Sequence, residues 1–299
     1  MSARRLAGRT ALVTGSSRGI GRAVAQRLAS EGATVVVTAR STSPSTSVRD
    51  GREQIVAGSL TETVDLIEKA GGRAVAVPAD LDDRQQRAGL VEAAVDAVGG
   101  LDILVNNAGF ADYSPVETMG EGTFERTVEH YLKVPFLLSQ AAIPVMRKGG
   151  GGWIVNIGSS TGLPPIRPFR DYNRTSGDVV YAAVKAALHR FTQGLAAEVE
   201  ADGIAVNAVG PSTAIRTPGA AALLPDGYDA EPVEYLAQTV LEMCTAPPAE
   251  RTGLVAFSLH YPWSQNVPVM SLDGRTELPR REPPAWSNPN IAPDGMMPA

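Results

Sequence analysis

The sequence predicts an α/β protein: a single domain built on a doubly wound parallel sheet of seven strands, with helices on both faces. Three observations carry that prediction. Short apolar runs rich in valine, isoleucine and leucine alternate with longer segments of helical periodicity along most of the 299 residues. The apolar runs are continuous, the pattern of strands covered on both faces. The first of them, Thr10-Ala11-Leu12-Val13-Thr14, turns through a glycine-rich segment into a helical pattern. Strand–helix repetition implies crossover connections, and their right-handedness leaves the doubly wound arrangement.

The elements read in order. Strands are expected over 10–14, 34–38, 73–77, 101–106, 153–157, 204–209 and 254–258. Helices are expected over 19–30, 60–70, 83–98, 124–146, 179–201 and 233–245. The first helix puts Val24, Ala25 and Leu28 on one side. Before the second lies a Ser/Pro-rich insertion from Ser41 to Ser59, where Ser59 reads as an N-cap and Glu62 completes a capping box. After Ser258 the chain becomes Pro-rich and non-periodic, a composition often disordered. The α/β domain is therefore set at 1–260 and a C-terminal extension at 261–299, the latter expected to lie across a homodimer neighbour.

Composition bounds the function. A hydrophobic content of 43% supports a sizeable core, and a net charge of −5 gives no reason to expect nucleic acid or an anionic membrane as partner. No apolar run approaches the roughly 20 residues that span a bilayer. The N-terminal Arg4 and Arg5 precede no apolar signal region, so a cytoplasmic protein is expected. The lone Cys244 excludes an intramolecular disulfide and reads as a small buried residue. His130, His189 and His260 lack metal-ligand spacing, and no metal is expected.

Gly15, Gly19 and Gly21 follow the first strand and open the first helix. Gly15 suits a tight turn, Gly19 a close backbone approach to a pyrophosphate, and Gly21 close packing of helix on sheet. Asn106-Asn107-Ala108-Gly109 ends the strand at 101–106, and Ser159-Ser160 ends the strand at 153–157. Ligands of open parallel sheets sit beyond such strand ends, although Asn and Gly also make ordinary turns. Tyr181 and Lys185 stand four residues apart in Y-A-A-V-K, on one helical face. A surface pair is the commoner meaning of that spacing alone. With the ammonium beside it, the phenol is expected to titrate below about 10.

T-G-S-S-R-G-I-G, N-N-A-G, I-V-N-I-G-S-S and Y-A-A-V-K, in that order, resemble the short-chain dehydrogenase/reductase family over about residues 6–259. The resemblance implies a Rossmann-type domain, a nicotinamide cofactor and a catalytic group of Ser159, Tyr181 and Lys185, with Ser160 one register away as a competing serine. It implies cofactor contacts from Gly15, Ser17, Arg18, Gly19, Ile20 and Gly21 in the first turn. Further contacts come from Arg40, Asp80, Leu81, Asn107, Ala108, Gly109, Tyr181, Lys185, Pro211, Ile215 and Thr217. Strand 34–38 ends in Ala39-Arg40 with no acid, and Arg18 offers a second guanidinium, so NADP(H) is expected over NAD(H).

Three departures from the family pattern stand out. Tyr131 occupies the position of an asparagine that supports a proton relay to the lysine. An insertion at 164–174, with Arg167, Arg170 and Arg174, lengthens the path from Ser159 to Tyr181. Gly210-Pro211-Ser212 replaces the usual Pro-Gly turn before Ile215 and Thr217. The three arginines suit an acidic substrate group, against the commoner outcome of a solvated surface cluster. The apolar lid at 219–228 favours a hydrophobic substrate.

The expected activity is NADP(H)-dependent interconversion of a hydrophobic ketone and its secondary alcohol by a homodimer or homotetramer. A narrower alternative is a 3-oxoacyl-thioester (CoA or ACP) reductase or 3-hydroxyacyl-CoA dehydrogenase. The insertion after strand 34–38 resembles that of hydroxysteroid-dehydrogenase-like branches and points the same lipid-like way. A non-catalytic NADP-binding regulator is the alternative of another class.

Overall fold

The computed structural model describes residues 4–40, 45–49, 52–110, 112–218, 224 and 227–296, with the backbone alone for 45–49 and 52–56. The chain runs β1 (Thr10–Thr14), α1 (Gly19–Ser30), β2 (Thr34–Thr38), a hairpin of β3 (Ser45–Arg49) and β4 (Arg52–Val56), α2 (Leu60–Lys69), β5 (Arg73–Ala76), α3 (Arg84–Val98) and β6 (Ile103–Asn106). It continues through α4 (Glu121–Val128), a π-turn (Glu129–Lys133), α5 (Val134–Gly149), β7 (Gly152–Ile157), α6 (Asp171–Thr175) and α7 (Val179–Val199). Last come β8 (Ile204–Gly210), α8 (Val233–Met243), β9 (Val255–Phe257) and α9 (His260–Ser264).

Seven strands form one parallel sheet in the order β5-β2-β1-β6-β7-β8-β9. All seven are the strands expected. The chain winds outward from β1 to β5, returns to β6, and winds the other way. The crevice at the carboxyl ends of β1 and β6 is thus the topological switch point where such sheets take ligands. Two buried apolar clusters cover the faces: Val24, Leu28, Leu236 and Val240 from α1 and α8 on one side, Leu90, Leu138, Met146 and Leu195 from α3, α5 and α7 on the other. Each fully buried valine or leucine contributes about 1.5–3 kcal/mol.

Local chemistry sets the boundaries. Asp83 caps α3 by accepting from the backbone N–H groups of Gln85 and Gln86. Ser59 caps α2 by accepting from Glu62 N at 3.0 Å. The Glu62 carboxylate, expected to close a capping box, ion-pairs with Arg22 at 2.7 Å; Arg22 first, and the Ser59 N–H as well, hold it below the usual range. The 41–59 insertion contains the antiparallel β3–β4 hairpin, which the sequence reading missed; 41–44, 50 and 51 lie outside the described residues. The single helix expected over 124–146 is two helices joined by the π-turn.

The described part of the C-terminal extension, 261–296, packs against its own chain. Val255 donates its N–H to the Gly295 carbonyl at 2.8 Å. Ile291 packs with Leu163, Ala208 and Phe257, while Val269 packs with Tyr235 and Leu259. Its anchors are scattered single residues, so no periodicity announces them.

Candidate active site

The candidate site is built on a polar stripe of α7. Tyr181, Lys185, His189 and Thr192 recur at helical spacing along it, facing the end of β7. Lys185 donates to the Ile157 carbonyl at 2.6 Å. His189 Nε2 accepts from the Ser159 N–H at 3.4 Å. Thr192 accepts from Asn156 at 2.9 Å, and Asn156 accepts from Asn106 at 2.9 Å. The helix is thereby pinned to β7 and, through it, to β6. Burial first, then Lys185, pushes His189 down to about 4, so it sits neutral as an acceptor.

Ser159 and Tyr181 come together, with the Ser159 and Tyr113 hydroxyls both placed to draw down the Tyr181 pKa. In this free site burial outweighs them and holds Tyr181 up at about 12. That corrects the expectation of an acidified phenol. Lys185 is aimed at the Ile157 carbonyl, with its ammonium 5.5 Å from the Tyr181 ring centre and 4.2 Å from that of Tyr131. Lys185 is itself 3% exposed, and burial pushes its pKa down to about 7. Ser160 opens the short turn Ser160–Gly162, and Ser159 is its cap, bonded to the Thr161 N–H at 3.2 Å and Thr161 hydroxyl at 2.9 Å. Of the two serines, Ser159 is the one beside Tyr181.

Tyr131 sits in the π-turn, a local widening that often marks functional sites. Its hydroxyl donates to the Phe110 carbonyl. Its ring meets Tyr181 edge to face, 5.1 Å between centroids, and forms an aromatic floor under Lys185. Gly109 makes this possible: a Cβ there would lie 2.4 Å from the Tyr131 ring.

The glycine turn has the expected form. Gly15 and Gly19 take positive φ of 64° and 56°. A Cβ on Gly21 would lie 2.4 Å from both Asn107 Nδ2 and the Gly15 carbonyl, so helix and turn close only over glycine. Asn107 donates to the Thr14 carbonyl at 2.7 Å, while Thr14 Oγ1 accepts from the Asn107 and Ala108 N–H groups. Arg18, the N-cap of α1, makes no side-chain cap bond. The first-turn N–H groups, Ser17 and Ile20 beside them, thus face the crevice in the form an anion takes. Across it, Thr217 approaches within 3.2 Å of a Cβ built on Gly19, and Ile215 is buried behind. A cradle of bare backbone bounded by Thr217 fits a dinucleotide.

Arg18 and Arg40 stand near each other; burial first, then Arg22 and Arg40, lowers the Arg18 pKa. Arg40 also reaches Asp82 at 4.0 Å. Asp80 accepts from the Asp82 N–H, and Leu81 is buried next to it. After Pro211, the altered turn is fixed by a buried Ser212 whose N–H meets Ser258 Oγ at 2.9 Å and Glu231 Oε1 at 3.1 Å.

The insertion arginines all have partners within the chain. Arg167 lies over the Phe169 ring at 5.1 Å, Arg170 bonds the Trp286 carbonyl, and Arg174 pairs with Asp171 at 3.1 Å. Of the 219–228 lid, residues 219–223, 225 and 226 lie outside the described residues. Among those described, no group of His, Cys, Asp or Glu could hold a metal, and no helix is long and apolar enough to cross a membrane. Cys244 is buried, and burial first pushes its thiol up. The sequence reading missed Tyr113, His189 and Trp286. His189 alone had a signal: it falls one turn beyond Lys185 on the Tyr181 face.

Strand-end polar groups, a glycine cradle and a Ser-Tyr-Lys cluster at the switch point define a nucleotide-linked oxidoreductase. The short chain dehydrogenase family model matches residues 9–226, and the chain belongs to that family. An oxidoreductase of Thermotoga maritima, itself uncharacterized, is 39% identical over 69% of this chain and 72% of its own. A hydroxynaphthalene reductase-like protein of Metarhizium majus is 30% identical over 86% of this chain and 90% of its own. A 7α-hydroxysteroid dehydrogenase solved with NADH and 7-oxo glycochenodeoxycholic acid superposes with a TM-score of 0.70, at 28% identity over 85% of this chain and 93% of that one. The protein is an enzyme of NAD(P)-linked redox chemistry on small organic substrates.

Proposed function

We propose that this enzyme interconverts a hydrophobic ketone and its secondary alcohol with NADP(H) as the preferred cofactor. The observation that carries the reading is the meeting of Ser159, Tyr181 and Lys185 at the carboxyl end of β7. The dinucleotide would lie on Gly15, Ser17, Gly19, Ile20 and Gly21, with Asp80 and Leu81 at the adenine. Asn107, Ala108 and Gly109 would border the ribose, and Pro211, Ile215 and Thr217 the nicotinamide end. Arg18 and Arg40 favour a 2′-phosphate, whose charge no acid at the end of β2 repels; the steroid enzyme above was solved with NADH, so preference rests on these two guanidiniums.

The cofactor, when bound, supplies or accepts the hydride. Ser159 hydrogen-bonds the carbonyl oxygen and orients it. Tyr181 gives that oxygen its proton, so that the C=O becomes CH–OH; in reverse the tyrosinate takes the proton back. Both donors act on an oxygen that gains charge in the transition state, which they stabilise selectively. Lys185 offsets the charge left on Tyr181. The wholly internal partners of Arg167, Arg170 and Arg174 withdraw support from an acyl-thioester substrate. Exposed Phe124, Phe136 and Val179 support assembly as a homodimer or homotetramer.

The test follows NADPH and NADH consumption with a panel of apolar ketones for wild type and Tyr181→Phe. Wild type is expected to turn over at least one, and the variant to lose at least about 100-fold. A wild type that binds NADPH and reduces nothing would instead support the regulatory role, and a fully active Tyr181→Phe would remove the tyrosine from the mechanism.

A further inference from the structure

Three segments meet at the carboxyl ends of β7, β8 and β9: the 164–174 insertion, the described end of the lid, and the C-terminal extension. The extension touches both of the others. Its Trp286 ring packs edge-on against Tyr228 of the lid, 6.0 Å between centroids. Its Trp286 carbonyl accepts from Arg170 of the insertion. The amides of Asn288 and Asn290 donate to the Pro164 carbonyl, Asn290 at 3.1 Å. Those contacts bridge the stretch that links Ser159 to Tyr181.

A second anchor reaches the loop after β8. Ser287 donates its hydroxyl proton to the Pro284 carbonyl at 2.7 Å, which leaves its oxygen to accept from His260 Nε2 at 3.3 Å. The other ring nitrogen, Nδ1, then accepts from the Ser212 hydroxyl at 2.9 Å. Ser212 is held in turn by Ser258 and Glu231. One arrangement of protons satisfies the whole chain with a neutral histidine, and burial of His260, which lowers its pKa to about 4, agrees. The extension is thus fixed to the loop that carries Ile215 and Thr217.

Where these segments meet, large aromatic rings stay half open to solvent: Trp286 is 46% exposed, Phe169 40% and Tyr172 51%. Tyr172 bonds Asp178 at 3.0 Å, three residues before Tyr181. An apolar body entering the cleft toward Tyr181 would cover these rings.

Resting on the oxidoreductase reading above, we propose that residues 284–290 form a third wall of the substrate cleft. Trp286 is its specificity-determining residue, and it selects a ketone or alcohol with a bulky apolar body. The wall comes from the same chain that supplies the catalytic residues.

The experiment compares 1-tetralone, a fused-ring ketone, with 2-butanone in the full-length enzyme. Trp286→Ala is expected to raise KM for 1-tetralone about tenfold, with KM for 2-butanone and for NADPH, and kcat, within about twofold of wild type. Trp286→Phe should restore most of the loss. Should the alanine variant lose its fold by circular dichroism, Trp286→Leu must show the same rise confined to the larger ketone. Equal changes for both ketones, or none for either, overturn the wall while leaving the oxidoreductase reading intact. A wild type inactive on all ketones with either cofactor overturns that reading, and the wall with it.

Discussion

Replacing Lys185 by methionine should make the cofactor-free protein more stable below pH 7, by an amount that shrinks and is largely offset towards pH 9. Lys185 is 3% exposed, and burial lowers its pKa from 10.5 to about 7. The unfolded chain therefore binds the extra proton between pH 7 and 10.5, so this lysine makes wild-type stability rise with pH through that window. Below pH 7 the charge is buried in the folded state, a cost of about 5 kcal/mol, from about 3.5 pH units at 1.4 kcal/mol each. At pH 9 the folded lysine is neutral and the cost has fallen to about 2 kcal/mol.

Methionine removes that cost. It also leaves the Ile157 carbonyl without its donor, about 1–3 kcal/mol. That loss sets the offset between the two proteins and not its slope. Between pH 6.5 and 9 the advantage of Lys185→Met should fall by about 2.5 kcal/mol, or roughly 5 °C in Tm. Urea unfolding at four pH values across that range measures it. A difference that stays flat with pH would refute the claim that Lys185 titrates near neutrality in the folded protein. Turnover should be lost in the same variant.

Two further outcomes are expected. The double change Arg18→Ala with Arg40→Ala should raise KM for NADPH at least tenfold, at about 1.5–3 kcal/mol per charged contact, and leave KM for NADH nearly unchanged; equal changes for both cofactors would remove the basis for NADP(H) preference. Glu231, whose pKa burial raises from 4.5 to about 7, makes wild-type stability fall as pH rises from about 4.5 to 7, so Glu231→Gln, which keeps an acceptor for Ser212 and Ser258, should gain about 2.5 kcal/mol on wild type between pH 5 and 8, and parallel melting curves across that range would show the carboxyl to be ionised in the fold at both ends.

Legibility in the sequence tracked the kind of physics involved. Val35-Val36-Val37 and Ile103-Leu104-Val105 fill strands whose burial is total, and continuous apolar runs announce such strands directly. Gly15, Gly19 and Gly21 were readable because only glycine satisfies the geometry at that turn. The β3–β4 hairpin was not, because its strands pair only with each other and carry no burial pattern in sequence. The extension was missed for a related reason: Trp286, Ser287 and Ile291 are held by different, scattered partners, and no repeating face links them. At the site, the identities of Ser159, Tyr181 and Lys185 were legible, while the state of the phenol was not. Spacing predicts that two side chains meet; it does not say which of them a third group claims.

That third group is the pair formed by Ile157 and Tyr131. The Ile157 carbonyl takes the ammonium, and the centre of the Tyr131 ring lies 4.2 Å from it. Buried in this way, Lys185 loses charge near neutral pH. With the positive charge weakened and turned away, burial decides the phenol, and Tyr181 rests protonated, its pKa at about 12. Ionising it at pH 7 costs about 7 kcal/mol in the free protein. The resting side chain is therefore a proton donor, the state that reduction of a carbonyl uses, whereas alcohol oxidation needs a positive charge brought close enough to stabilise tyrosinate.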